Sequence, residues 1–245
     1  MTAPIITAAT LAKLAQYDTP TICNIIELFD VRPRTAGFMD GRIAAAFPEM
    51  PPMVGFAATA LFRSGSPPTS STYATLESQV ERFAKLTGPA VVVFQDVDEP
   101  PFGATFGEVM CSTYKAFGSV GLITSGGGRD LLQVKALSYP VFTGSTICSH
   151  AYCQTFDVGK PVNVGGLPVQ NGDLLHGDAN GVTNIPLDLA AEIADVADEF
   201  IAAEMHVIEY AKSDGPKQVA KLTAGRAAMS EAIAKLHQRV SRKRA

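Results

Sequence analysis

Between residues 54 and 142 the chain alternates short apolar runs with segments of helical periodicity, and this alternation constrains the fold more than any other feature. Residues 54–62 read as a strand, and residues 76–86 as a helix with Leu76, Val80 and Phe83 facing inward. Residues 89–94 form a short valine-rich run, the pattern of a strand covered on both faces. A helix over 107–117, a strand over 120–124, a helix over 129–137 and a strand over 140–142 continue the series. Strands and helices in this order pack as a parallel sheet with helical crossovers. The expected fold class is α/β with a parallel sheet core.

The flanks have a different character. At the N-terminal side Thr7 can cap a helix over 8–16. Thr19 can cap a second, with Pro20 at its first position and Ile22, Ile25, Ile26 and Phe29 on one face. After Gly144 come short strand candidates at 157–164, 167–169, 174–175 and 182–185. Turn signals at Gly165-Gly166, Asn171-Gly172-Asp173 and Asn180-Gly181 separate them. They predict a small antiparallel or barrel-like flank. Pro186 closes that region, and Asp188 can cap a long helix carrying Leu189, Ile193, Val196, Phe200, Val207 and Ile208 at helical spacing. Residues 213–216 end it, and a second helix follows with Val219, Leu222, Ile233, Leu236 and Val240. The expected division is an α/β domain over 1–186, N-terminal helices included, and a C-terminal helical extension over 187–245. The extension can pack on its own core or, as the expected arrangement, on a neighbouring subunit.

Composition removes several classes. The 245 residues, 47% hydrophobic, supply ample core for one sizeable domain. Twenty basic against 24 acidic side chains give a net charge of −4, which offers nucleic acid no footprint. The basic end at Arg239, Arg242, Lys243 and Arg244 reads as a solvated tail. Residues 43–62 are apolar enough to test as a membrane span, but Glu49, Pro48, Pro51 and Pro52 break it, so none is expected. The first ten residues lack the pattern of a secretory signal. Cys23, Cys111, Cys148 and Cys153 are too few to staple this chain, and Cys148, His150 and Cys153 lack the second pair of a zinc site. Reduced thiols in a cytoplasmic protein are the expectation. The four histidines are scattered without metal-pair spacing, and no Gly-x-Ser-x-Gly elbow occurs.

The sharpest local feature is Gly126-Gly127-Gly128-Arg129-Asp130. With a strand ending at Thr124, the glycines are expected to turn the chain tightly and deliver a charged pair to a helix start, at the sheet edge where α/β folds collect ligands. Arg129 offers a planar fork for a carboxylate, and Asp130 a hard oxygen for a cation. Twenty-one residues earlier, Glu108 follows Gly107 at another predicted helix start. The two starts can face one cleft. A surface ion pair beside a turn accounts for the same residues without chemistry.

Gly107-Glu108-Val109-Met110, residues 121–130 and Pro140-Val141-Phe142 together resemble the core signature of the RraA-like family. That family holds 4-hydroxy-4-methyl-2-oxoglutarate aldolases and regulators of ribonuclease E activity. Val164-Gly165-Gly166, residues 171–174 and Asp178-x-Asn180-Gly181-Val182 match its later β segment in order and spacing. The resemblance covers roughly residues 19–214. It implies a swivelling β/β/α-type domain that assembles as a homotrimer or homohexamer, with Mg²⁺ or Mn²⁺ at an active site between subunits. Asp130 would then be the direct metal ligand, with Glu108 acting on the metal through water. Arg129 would bind the keto oxygen, and the backbone at Gly107, Val109 and Met110 the carboxylate of a 2-oxo acid. Glu204 resembles the family's helix glutamate that reaches a neighbouring site.

The implied activity is that of a lyase. It would cleave a 4-hydroxy-2-oxo acid to pyruvate, or decarboxylate an oxaloacetate-like compound, through an enolate whose charge a cation and a guanidinium can spread. Lys115, Lys135 and Lys160 give no evident Schiff-base candidate. Three departures stand beside this, of which the first favours a non-catalytic regulator and the other two change the substrate-recognition half of the site. An enzyme of the same fold on another hydroxy or keto acid is a third reading. Gln133 stands where the aldolase pattern has an acid, Cys23-Asn24 replaces an Asp-Ala pair, and Ser70-Ser71-Thr72 replaces a loop that supplies an Asn.

Overall fold

The computed structural model describes residues 6–69 and 73–243. Its centre is β3 (Ala90–Asp96), buried at every position except Gln95. A run of valines and a phenylalanine suits a strand with both faces covered. This strand pairs in parallel with β2 (Met53–Arg63) on one side and β5 (Ser119–Gly128) on the other. β5 in turn pairs in parallel with β6 (Val141–Thr146) and, past the end of β3, with the short β4 (Ala104–Phe106). The parallel core expected from the alternating pattern is therefore present.

The flank is organised differently from the expectation. Only β8 (Val162–Val164) and β9 (Leu167–Val169) form a separate two-stranded antiparallel sheet. β7 (Gln154–Phe156), β10 (Leu174–Asp178) and β11 (Gly181–Ile185) join the main sheet. β10 and β7 both pair antiparallel with the long β2, at its beginning and end respectively. β1 (Ala44–Ala45) closes the other edge, giving the order β1-β6-β5-β3-β2-β10-β11. Burial explains the difference, because all five residues of β10 are buried and need partners on both edges.

Alternate residues of the core strands enter separate apolar clusters. Val92, Phe94 and Leu122 pack with Val80 of α3 (Leu76–Val80), Cys111 and Tyr114 of α4 (Glu108–Ala116) and Val134 of α5 (Leu131–Ala136). Val91, Val93 and Ile123 pack instead with Val162, Val164, Leu167 and Val169 of the small sheet. The layers thus stack β/β/α. A single helix expected over 76–86 is divided into α3 and a 3₁₀ turn at Phe83–Lys85.

A third cluster lies where β2 and β10 begin. α1 (Ala8–Leu14) is capped by Thr7, whose hydroxyl accepts the Thr10 N–H at 3.1 Å. α2 (Thr19–Leu28) is capped by Asp18 rather than Thr19. Ile22, Ile25 and Phe29 pack with Ile193, Ala197 and Phe200 of α6 (Ala190–Lys212), whose N-cap is Leu189 rather than Asp188. The end of α7 (Val219–Val240) joins through Leu236 and Val240. His237 Nε2 lies 2.6 Å from Asp30 Oδ2, and the Arg242 N–H donates to the Phe29 carbonyl at 2.9 Å. Among the described residues no helix is long and apolar enough to cross a membrane, and all four cysteines are free thiols.

Candidate active site at the carboxyl end of β5

The sequence suggested a strand ending at Thr124 and a glycine turn. The strand in fact runs through Gly128, and none of the three glycines has a positive φ. What they supply is closeness. A Cβ on Gly126 would stand 2.5 Å from Asp96 Oδ2, one on Gly127 would stand 2.7 Å from Ile147, and one on Gly128 would overlap the Phe106 ring. Neighbouring hydroxyls hold the strand in place. Thr105 Oγ1 donates to the Gly127 carbonyl at 2.9 Å and Thr143 Oγ1 to that of Gly126 at 2.8 Å.

The turn falls on Asp130 itself, at φ +55 and ψ +37. A left-handed backbone costs a residue other than glycine roughly 1 kcal/mol, and an aspartate tolerates it better than most. Asp130 is the N-cap of α5 yet makes no side-chain bond to its own helix. Its Oδ2 instead accepts the N–H of Glu108 at 3.0 Å, capping the neighbouring α4. Arg129 Nε lies 3.7 Å from the same oxygen, and the Arg129 N–H donates to the Phe106 carbonyl at 3.1 Å. Gly107 must be a glycine here, because a Cβ would stand 2.6 Å from Asp130 Oδ2 and 3.1 Å from Arg129 Nε. The two helix starts do face each other, and Gly107, Glu108, Arg129 and Asp130 form one constellation.

Each part has a chemical capacity. Glu108 uses its N–H on Asp130, so the first-turn N–H groups of Val109 and Met110 remain for an anion at the start of α4. The Arg129 and Asp130 side chains are 36% and 37% exposed, open enough for a substrate and sheltered enough to be positioned. Asp130 Oδ1 has no hydrogen-bond partner among the described residues. No trio of His, Cys, Asp or Glu that could hold a metal gathers among the described residues. One carboxylate with an oxygen free of described partners is the donor set here, so a hard cation would be held mostly by water, as magnesium commonly is. It does not fit a closed cage. Gln133 is exposed on α5, and Glu204 stands half-buried on α6, where burial and the charge of Asp18 push its carboxyl up. The loop at Ser70-Ser71-Thr72 lies outside the described residues.

Two residues that sequence reasoning missed lie beside the constellation. Asp96 ends β3 with its side chain buried against Gly126, and its Oδ2 has no hydrogen-bond partner among the described residues. Burial pushes its carboxyl up to about 6. The Cys153 thiol feels both the Arg129 and the Asp96 charge, and burial raises its pKa overall. The available signal was an aspartate closing an apolar run at the carboxyl end of a strand. A cavity of about 660 Å³ opens on the same rim, lined by Arg42, Gln95, Asp96, Ser125, Thr143 and Asn163 among others. It does not include Arg129 or Asp130, so this hollow and the charged constellation are neighbours rather than one place. His150 meets Cys153 through its carbonyl oxygen, 2.8 Å from the thiol. His176 is buried between Thr19 Oγ1 and the Leu14 carbonyl, where burial lowers its pKa.

The model of the RraA-like family (Aldolase/RraA) matches residues 19–183, about two-thirds of the chain and all of this constellation. The chain belongs to the RraA-like family. A stretch of 99 residues is 34% identical to a protein of Halalkalibacterium halodurans named "Putative 4-hydroxy-4-methyl-2-oxoglutarate aldolase", covering 40% of this chain and 47% of that one. The chain thus spans about half the length of that curated relative. An uncharacterized protein from Pseudomonas syringae pv. tomato has a similar structure, with a TM-score of 0.71 at 22% identity over 93% of this chain and 97% of the other. RraAS2 of Streptomyces coelicolor, described as an unusual member of the RNase ES inhibitor RraA protein family, gives a TM-score of 0.66 at 20% identity. Those coverages are 86% and 99%. At these identities the solved structures establish a shared RraA-like fold.

Proposed function

We propose that this RraA-like protein is a divalent-metal-dependent lyase acting on a small 2-oxo acid. The observation that carries the reading is the left-handed Asp130, which turns one oxygen to the Glu108 N–H and leaves the other without a protein partner beside Arg129. Backbone strain of this kind concentrates at functional sites. Asp130 would hold Mg²⁺ or Mn²⁺, with Glu108 acting through an intervening water. The ion would supply Lewis-acid stabilisation of negative charge.

The protein's own groups do the rest. The N–H groups of Val109 and Met110 bind the substrate carboxylate at the helix start. Arg129 donates to the C2 keto oxygen and offsets the charge that grows there as the bond between C3 and C4 breaks. In a 4-hydroxy-2-oxo acid the 4-hydroxyl would pass its proton to water beside Glu108, C4 leaves as a carbonyl compound, and the electron pair of the broken bond passes to the pyruvate enolate. In an oxaloacetate-like acid C4 leaves as CO₂ and the same enolate results. Protonation at C3 gives pyruvate in both cases. The exposed apolar side chains of Val109 and Leu132 beside the site, 75% and 81% exposed, support a second copy covering it in a homotrimer or homohexamer.

A coupled assay for pyruvate, run on oxaloacetate and on 4-hydroxy-2-oxo acids with magnesium and with chelator, tests the reading. Metal-stimulated pyruvate release is the expected result. No pyruvate from any of these substrates with metal present would overturn it. That outcome would favour the second reading, a regulatory binding protein, for which the uncharged Gln133 on α5 is the supporting observation.

A further inference from the structure

Away from the β5 rim, a cavity of about 280 Å³ lies between α2 and the loop that follows it. Its lining includes Cys23, Glu27, Arg32 and Arg34. Arg32 is its unusual member. The half-buried guanidinium donates through Nη1 to the carbonyl and to the side-chain oxygen of Asn184, and through Nη2 to Thr183 Oγ1 at 3.2 Å. All three acceptors are uncharged. Among the described residues no carboxylate pairs with it. A buried cation with only neutral partners is costly, and burial lowers its pKa.

The seat is nonetheless built for it. Gly37 takes φ +91 directly under the guanidinium, and any Cβ there would overlap it. A guanidinium has five N–H donors, and three are used. The unused pair, on Nε and Nη2, forms one edge of the plane, the fork that matches two oxygens of a carboxylate or phosphoryl group. Arg34 stands beside it in the lining, paired with Glu27 at 3.3 Å and 78% exposed, so it is free to turn inward when an anion arrives.

The geometry points to a binding site for a small organic oxyanion, anchored by the unpaired edge of Arg32, with Arg34 as a second cation. The cavity suits a compact metabolite, being just below the range of about 300–1,000 Å³ usual for ligand pockets. Glu27 is the opposing charge, and its pairing with Arg34 would yield to a ligand carrying two negative charges. This site is separate from the Arg129 constellation. Asn184 and Thr183 are on β11 at the edge of the sheet, and β3, β2 and β10 lie between it and β5. It does not depend on the proposed lyase activity.

The test is calorimetric titration of the whole chain with inorganic phosphate and with malonate, using chloride at matched ionic strength as control. Alkylation of Cys23 by iodoacetamide, read by peptide mass spectrometry, serves as a local reporter. Phosphate or malonate is expected to bind and to slow Cys23 alkylation, while chloride does neither. Phosphate alone would assign a phosphoryl ligand, and malonate alone a carboxylate. Arg32→Lys, which keeps the charge but loses the fork, is expected to weaken binding at least tenfold. Arg239→Ala, which removes an exposed cation outside both sites, is expected to leave it unchanged. Absence of binding by both anions, or undiminished binding in Arg32→Lys, overturns the site. Anion binding that leaves Cys23 alkylation unslowed would place the anion elsewhere and overturn it equally.

Discussion

The rim at the carboxyl end of β5 and the helical layer of α1, α2, α6 and α7 are built by opposite rules. In the helical layer, apolar side chains at helical spacing fill one cluster, Ile22, Ile25 and Ile193 are wholly buried, and the charged groups pair at the surface. At the rim, a buried carboxylate oxygen has no partner among the described residues, and three consecutive strand residues lack side chains. The contrast teaches where free energy has been diverted from stability. Local rules are obeyed where the chain only has to hold together, and broken where it has to bind.

Substitutions on the two sides sharpen that contrast. Asp130→Ala is expected to have the largest effect, lowering metal-stimulated pyruvate formation by roughly 100-fold or more while the melting temperature moves only by the loss of one helix cap. Unchanged turnover in the coupled assay would remove Asp130 from the site. Ile193→Ala in the helical layer should do the reverse, costing about 2–5 kcal/mol in denaturant unfolding and leaving kcat/KM of the remaining folded protein intact. Gly107→Ala pushes on both Asp130 and Arg129, and about a tenfold loss of kcat/KM with a small loss of stability is expected.

Asp96→Asn probes the rim through pH. The Asp96 carboxyl sits at about 6 in the folded chain against an ordinary 3.8. Between those values the folded chain holds a proton that the unfolded chain has lost, so stability rises as pH falls through 6 and is lost as pH rises. The asparagine variant should be more stable than wild type at pH 7, by on the order of 1–2 kcal/mol, with the gap closing toward pH 4. Parallel unfolding curves for the two proteins at pH 7 and pH 5 would sink this assignment. Smallest of all, Arg239→Ala removes an exposed pair with Glu199 and should not change the melting temperature measurably.

What could be read from the sequence follows the same divide. The parallel core was legible because burial on both faces leaves valine-rich runs, as in β3, and the long C-terminal helices because their period is regular. Antiparallel additions to β2 were not, since β7 and β10 find their partner some hundred residues away and nothing local names it. Glu108, Arg129 and Asp130 were visible as charges set among glycines. How they connect was not, because an aspartate that caps the helix of another segment has no local pattern. Asp96 was hidden for a related reason. A carboxylate at a strand end reads as solvated until the fold closes over it, and the cavity around Arg32 depends on β11 in the same way.

The glycines at 126–128 have one consequence for how such a chain can change over time. Each has given its side-chain volume to a specific neighbour, to Asp96, Ile147 and Phe106 respectively. A larger residue at one of these glycines requires a smaller one at its neighbour. Drift at this rim must therefore proceed by paired exchange. One-position mutational scans will record these positions as intolerant whatever reaction the site performs, while libraries that vary both members of a pair will recover folded variants.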